Sequence, residues 1–560
     1  MAADPPGPGL GLGPGRGQEN FNLGIYYQQQ YQAAFNAALA AGEVKPLVIP
    51  WSFVGSFFLP LVYLVIPHTN RPWLYRMRWA VAAAVVYLNV RLMQTTSAGN
   101  EAVAYTTGLV AVWGTIWALR LLIFTRPQWE AARVEWRPRL GGKGLAGGKK
   151  KATVMTPPDE SVAAALPHHE YFWQPFPATA PLLTRLGWTA DLLTASRGAG
   201  WNFAIPSIPH PPPPSKRLEG GEPVRLDLIP LTSRAGTARS PTYASFLRSR
   251  LVEFTLAYLT IDLLTTTIRR DPYFVLGPDY ASQGYALPAL YADILPCPGY
   301  TVPVLRNVAA LAGIIAGLHL YYSVLQLAIV FPLRGVFGVR AELWQHPALF
   351  GGFVPSVLDR GLAGFWGGWW HQTFRAGFVA PASWVLRGHS HGHHHHAKVK
   401  GEGGKRDSKI LQSVVELLLA FSLSGILHAA GSHTSVPRTT RPWTPVTFFL
   451  LQAVGIILQT AASALFSRRI QHTGRKIPQW LRRTTNLLLI LLYLHLTAYN
   501  LIDDMSRAGI WLFEPVPVSP LRMMGLGQPG DAGVWWRWGG GEYGLRLYSG
   551  VSWWDGGVRL

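Results

Sequence analysis

The sequence predicts an all-α membrane protein, a polytopic transmembrane bundle of about eight spans. Three observations predict it. Half of the chain is hydrophobic (49%) and only 14% is charged, against roughly 25% charged in soluble domains. The apolar residues are clumped: 47–66, 308–331 and 444–466 hold no Asp, Glu, Lys or Arg. Each is long enough, at about 1.5 Å per residue, to cross a hydrocarbon core about 30 Å thick. The basic residues, in turn, collect in the connections between these stretches.

Apolar runs place the spans at 47–66, 79–97, 102–123, 251–268, 308–331, 410–431, 444–466 and 485–502. Arg91 interrupts the second, and Glu253 and Asp262 lie in the fourth. Lys/Arg clusters mark cytosolic connections. They occur at Arg71 to Arg78, Arg133 to Lys151, Arg387 to Lys409 and Arg468 to Arg483. Eight crossings put all four on one side and both termini in the lumen. The segment 361–380, rich in Trp with His371, Gln372 and Arg375, is too short and polar to span; it suits an amphipathic or re-entrant helix at the interface.

The chain therefore divides into a disordered tail (1–46), N-terminal membrane helices (47–123), a cytosolic connection with flexible segments (124–250), a core (251–525) and a C-terminal tail (526–560). Gly141–Lys151, Pro211–Pro214 and Gly388–Lys409 read as flexible. The N-terminus lacks the basic and apolar regions of a cleavable signal peptide. Net charge is +21, which suits an anionic membrane surface or an anionic small molecule. Nucleic acid is disfavoured, because the basic residues sit between hydrophobic spans. The one cysteine, Cys297, excludes an intrachain disulfide. The tract His389–His396 lacks acidic or Cys partners in a Gly/Lys-rich stretch, so no metal site is expected.

Ionisable groups inside a span should face protein or a water-filled cavity. His428 lies in LSGILHAAG with Ser424, Gly425, Ala429, Ala430 and Gly431 around it. Such small residues let other helices or a substrate approach. Two readings stand: a general base near neutral pH, or a helix-end histidine bonded to a carbonyl. His319, Tyr322, Ser323 and Gln326 form a polar stripe, as do Gln452, Gln459 and Ser463. Stripes of this kind are tunnel linings or interhelical hydrogen bonds.

Five segments in series resemble the fungal wax-synthase-like branch of the membrane-bound O-acyltransferases. They are Arg197–Asn202 (RGAGWN), Asp271–Phe274 (DPYF), Phe365–Arg375 (FWGGWWHQTFR), Leu423–Gly431 (LSGILHAAG) and Trp511–Arg522 (WLFEPVPVSPLR). Their order and spacing match over roughly residues 190 to 525. Where that branch carries Arg after FWG, this chain has Gly368 and Trp369. The resemblance implies a helical fold around a tunnel, an endoplasmic reticulum location, and acyl transfer from acyl-coenzyme A to an alcohol. It implies His428 as the catalytic base and His371 as a supporting polar residue.

Arg197, Trp201, Asn202, Trp366, Gln372 and Arg375 are the expected cofactor-side contacts, with Lys409 a further candidate. Acyl-coenzyme A, acetyl-coenzyme A first, is expected as a co-substrate, with no permanently bound cofactor. The other expected partners are the bilayer and an apolar alcohol such as a terpenoid or polyketide. Long-chain wax ester synthesis is the alternative reaction. A polytopic transporter is the alternative of another class, although the paired halves common in transporters are missing from the sequence. A catalytically silent scaffold is a third.

Overall fold

The computed structural model describes residues 22–138, 169–215, 220–293, 295–386, 402–437, 441–473, 477–528, 531, 536–538, 546–549 and 556–559. The expectations for residues 1–20, Gly141–Lys151, the His389–His396 tract and the Lys409 side chain lie outside the described residues; residues 22–46 of the tail expected to be disordered over 1–46 are instead ordered, with Leu23–Ala40 a helix whose Tyr31 and Phe35 are buried.

The protein is a multi-pass helical membrane protein. Among the described residues, five helices are long and apolar enough to cross a bilayer: Glu101–Phe124, Tyr243–Ile268, Pro298–Val330, Ile410–His433 and Trp443–Arg469. A sixth crossing is available if Gln479–Thr497 and Tyr499–Arg507, which meet at 43°, act as one broken span. Among the described residues, six of the eight expected segments lie on these helices, and the two at the N-terminal end depart from a simple span. There, 47–66 splits into a two-residue strand and the short apolar helix Trp51–Val65. The Arg78–Thr95 helix is made too polar by Arg78, Asn89, Arg91 and Gln94. These two segments are consecutive. Discounting both leaves the three later basic clusters on one common side.

Small residues set how closely the spans pack. A Cβ on Gly108 would overlap the carbonyl oxygen of Ala430, so helices Glu101–Phe124 and Ile410–His433 touch backbone to backbone. Gly431 lies under the Tyr105 ring, where a Cβ would be 2.8 Å from a ring carbon, and Gly425 faces the Val446 Cα. Polar side chains pin the crossing. Thr434 Oγ1 accepts from Gly108 N at 3.0 Å and donates to the Ala104 carbonyl at 2.6 Å. On the outer side of the same helix, Asn89 donates to Thr115 (3.0 Å) and accepts from Ser56 (2.9 Å).

The 124–250 connection holds ordered structure. Strand Ala132–Pro138 pairs antiparallel with His169–Pro175, from Ala132 opposite Pro175 to Pro138 opposite His169. The ribbon packs on Leu226, Ile229, Val339 and Trp344, and the Leu182–Thr194 helix packs through Trp188 and Leu192 on residues that include Trp117 and Trp201. Near the C-terminus, Val48–Ile49, Gly557–Arg559 and Arg546–Tyr548 form a small three-stranded sheet.

Carboxylates found in or beside the matched motifs turn out to be anchors. Asp262, inside its span, accepts from Ser519 Oγ and from Leu521 N (3.0 Å). Asp271 caps its short helix through Tyr273 N and takes a two-pronged contact from Arg306 at 2.7 Å. Glu514 is sealed among Arg269, Arg522 (2.9 Å) and Arg537 (2.6 Å), with Asp531 3.3 Å from the last two.

The crossing makes Gly108→Val destabilising by about 1–3 kcal/mol, the cost of overpacking, read as a lower thermal midpoint in detergent. Gly317→Ala, at a position with no atom within 4 Å of a new Cβ, should leave the midpoint unchanged. Glu514→Ala strands buried cations and should cost about 3–5 kcal/mol by the same measurement.

Candidate active site

The segment after Pro355 is a helix that breaks. Residues Asp359–Gly364 and the wider turn Phe365–Trp369 lead into an open stretch, and a new helix runs Arg375–Leu386. Non-helical backbone inside a membrane protein must be satisfied by protein or by a wet cavity. Gln372 does this here: its amide donates to the carbonyls of Trp366 (2.7 Å) and Trp370 (2.6 Å), and its oxygen accepts from Arg375 (3.1 Å). Arg375 also donates to the Gly367 carbonyl at 2.9 Å. The break leaves His371 projecting inward between Phe350 and Phe374.

His371 keeps a partly accessible surface, yet its Nδ1 is buried and has no hydrogen-bond partner. Burial pushes its imidazole down to about 3, with His428 and then Arg197 adding to the effect. It is therefore neutral at physiological pH, and His428 and Arg197 are near enough to feel its charge.

His428 sits on the Ile410–His433 helix, its ring stacked on Phe449 at 5.1 Å and 15°. Nδ1 lies 3.2 Å from the Tyr105 hydroxyl. Neither the stack nor that bond occupies Nε2. The ring is half-buried rather than sealed. An aromatic wall joins the two histidines: Trp366 packs against Trp370 (5.5 Å), Phe448 and Phe449, and Trp370 packs against His371 (5.4 Å). The Trp366 indole donates to Gln452 at 3.3 Å, and Gln452 donates to Thr497 at 2.9 Å.

The opposite side of His371 is polar and basic. Arg197 projects from the loop RGAGWN, whose tight course requires glycine: Gly198 and Gly200 have φ of 66° and 74°. A Cβ on Gly200 would also lie 2.5 Å from Gln345. Arg197 donates to the Ala348 carbonyl at 2.9 Å, while its buried Nε has no partner. Burial lowers its guanidinium to about 10. Around it stand Tyr322, which bonds Thr373 at 2.9 Å, and Arg250, held by Gln326 (3.0 Å) and Glu253 (2.7 Å). His319 lies 3.4 Å from Glu253 and stacks on Phe350 at 4.9 Å. His346, also close to Arg197 and Arg250, is pushed down to about 4 by burial. The expected stripe of His319, Tyr322 and Gln326 thus makes interhelical bonds on the wall of this site.

The expected site residues fall into two groups. His371, His428, Arg197 and Trp366 converge on one region, with Gln372 and Arg375 bracing the break beside it. Trp201 and Asn202 stand in the strand layer. Trp201 is packed between Trp188 (5.0 Å) and Phe203 (5.4 Å). Asn202 accepts from Ala132 N (3.1 Å) and donates to the Glu130 carbonyl (2.8 Å). Sequence reasoning missed Tyr105, Phe449, Ser432 and Asp504. The acidic pair Asp503–Asp504, directly after an apolar run, was the one legible signal. An apolar cleft of about 330 Å³, lined by Phe53, Phe57, Val110 and Trp113 among others, lies on the far side of Trp113. That ring packs on Phe374 at 4.7 Å, so the cleft is one aromatic layer from the histidines. Among the described residues, no cluster of three or more His, Cys, Asp and Glu could hold a metal ion.

Residues 346–451, which include both histidines, match the Membrane bound O-acyl transferase family. Three fungal relatives are similar to this chain. The O-Mevalon transferase macI of Penicillium terrestre is 22% identical over 49% of this chain and 52% of the relative. The acetyltransferase ataH of Aspergillus terreus is 26% identical over 61% of this chain and 96% of the relative. The acetyltransferase fsoF of Humicola fuscoatra is 31% identical over 29% of this chain and 37% of the relative. The chain spans about half the length of macI and of a second O-Mevalon transferase, yanI of Aspergillus niger. No solved structure matches. The family match over the segment that carries both histidines, the fungal relatives and the multi-pass helical fold agree: the chain is similar to the membrane bound O-acyl transferase family over residues 346–451.

Proposed function

We propose that the protein is an O-acyltransferase that moves an acyl group, acetyl first, from acyl-coenzyme A to a hydroxyl of a hydrophobic small molecule such as a terpenoid or polyketide. The observation that carries this reading is the convergence of His371 and His428, inside a membrane bundle, on partly accessible space between an aromatic wall and a basic one. The names of the relatives, acetyltransferase and O-Mevalon transferase, support small acyl donors and secondary-metabolite acceptors. They favour acetyl transfer over long-chain wax ester synthesis. The same motifs support the wax-synthase-like branch of the family and an endoplasmic reticulum location.

In this reaction His428 is the general base. It takes the alcohol proton as the alcohol oxygen attacks the thioester carbonyl, a contribution of roughly 10²–10⁴-fold. The C–O bond forms, the C–S bond breaks, and the proton returns to the departing thiolate. His371, neutral and with a free ring nitrogen, orients the thioester or donates to the developing oxyanion. Arg197, the least satisfied buried cation on the basic wall, attracts the polyanionic donor. Arg375 and Gln372 keep the broken helix in shape beneath it, and Trp366 walls the acyl channel. Trp201 and Asn202 act on the donor side through the loop that carries Arg197.

His428→Ala should lower product formation in microsomes by at least about 100-fold. The assay supplies labelled acetyl- and palmitoyl-coenzyme A with a total lipid extract and identifies products by mass spectrometry. Full activity in a well-expressed variant removes the base assignment. Transfer from palmitoyl- but not acetyl-coenzyme A selects the wax ester reaction. Absence of any thioester-dependent product from the wild type overturns the acyltransferase reading.

A further inference from the structure

His428 is the start of a row of buried polar groups that leads away from the proposed site to a buried carboxylate. Its Nδ1 is 3.2 Å from the Tyr105 hydroxyl. Ser432 and the charge of Asp504 both act on the Tyr105 hydroxyl, and Ser432 Oγ donates to Asp504 Oδ2. The four residues come from three elements: Glu101–Phe124, Ile410–His433 and Tyr499–Arg507. All of the row beyond the imidazole is interior: Tyr105 is 4% exposed, and Ser432 and Asp504 are fully buried.

We infer that Tyr105, Ser432 and Asp504 are positioning residues that fix the tautomer of His428, a conclusion that rests on the acyltransferase reading above. The direction of the chain follows from its end. A carboxylate only accepts hydrogen bonds, so the Ser432 proton points at Asp504. The Ser432 oxygen is then open to the Tyr105 proton. The Tyr105 oxygen, its own proton committed, accepts from His428. Nδ1 therefore carries the ring hydrogen and Nε2 holds the lone pair. When Nε2 takes a proton from the alcohol, the imidazolium keeps its Nδ1–H bond, and the chain ends on a negative charge that offsets the new positive one. Stacking on Phe449 fixes the ring plane while this chain fixes which nitrogen is basic. The hydrogen-bond partner behind a metal-bound histidine is typically worth roughly 10–100-fold, and an effect of the same order is expected for this catalytic imidazole.

The experiment is a double-mutant cycle in microsomes, with acetyl-coenzyme A varied at a fixed total lipid extract. Tyr105→Phe removes one oxygen from the middle of the chain, and Asp504→Asn removes the terminal charge. Each should lower kcat by about tenfold while leaving KM for acetyl-coenzyme A within about twofold. The double variant should also lose about tenfold rather than about 100-fold, because Asp504 reaches His428 only through Tyr105. Ser432→Ala breaks the same chain and replaces Asp504→Asn in the cycle if that variant does not accumulate in membranes. Losses that multiply, losses confined to KM, or an unchanged kcat in Tyr105→Phe overturn the inference. His428→Ala, run alongside, separates the two claims. If it is inactive while Tyr105→Phe is unimpaired, the positioning chain alone fails; if it is active, the acyltransferase reading fails with it.

Discussion

The constraint on which the rest of the molecule depends is the backbone contact between two spans at Gly108 and Ala430. Lipid tails are as apolar as leucine, so no hydrophobic force pulls membrane helices together; close packing and interhelical hydrogen bonds must do it. Here the missing Cβ of Gly108 lets the carbonyl of Ala430 enter, and Thr434 fills the remaining polar valences across the crossing. Gly431 then brings the helix under the Tyr105 ring. One turn away, the same approach sets Tyr105 against His428. A wider crossing would still be a stable pair of helices, but the hydroxyl and the imidazole would not meet.

The site built on that crossing is asymmetric, and the asymmetry has a chemical use. On one side aromatic rings from the broken segment and from Trp443–Arg469 close around His428. On the other, Arg197, Arg250, His319 and Tyr322 line a polar wall. The break at 370–374 separates these halves. It is tolerable because Gln372 and Arg375 satisfy the freed carbonyls. The proposed apolar acceptor and polyanionic donor would need such different surroundings, and a broken helix can present both within a few residues.

A second set of buried polar contacts lies at the C-terminal end of Tyr243–Ile268. Asp262 and the Glu514–Asp531 group bind the segment 510–537 to that helix through buried ion pairs and hydrogen bonds. Buried pairs contribute little net energy compared with apolar packing, but removing one partner is severe. They fix a single register for the segment, whose Trp511 packs on Phe274 at 5.4 Å. Several motif residues that look chemical in the sequence are therefore the braces of the fold.

How much of this was legible in advance depends on the range of the interaction concerned. The class of fold and the position of His428 follow from composition and apolar run length, because the cost of exposing backbone or charge to hydrocarbon is local and large. The family resemblance pointed to His371 and Arg197, and the glycines at 198 and 200 announced a tight loop. The first two apolar stretches read as spans despite Arg91 in the second, whereas Asn89 in that stretch packs against Ser56 and Thr115 within the bundle. Nothing in the spacing of residues 105, 432 and 504 joins them. The sequence by itself determined that a histidine would lie inside a membrane helix among small neighbours. Only the tertiary structure decided which group meets its Nδ1, because Tyr105 lies 323 residues away in the chain and reaches it only where two helices cross.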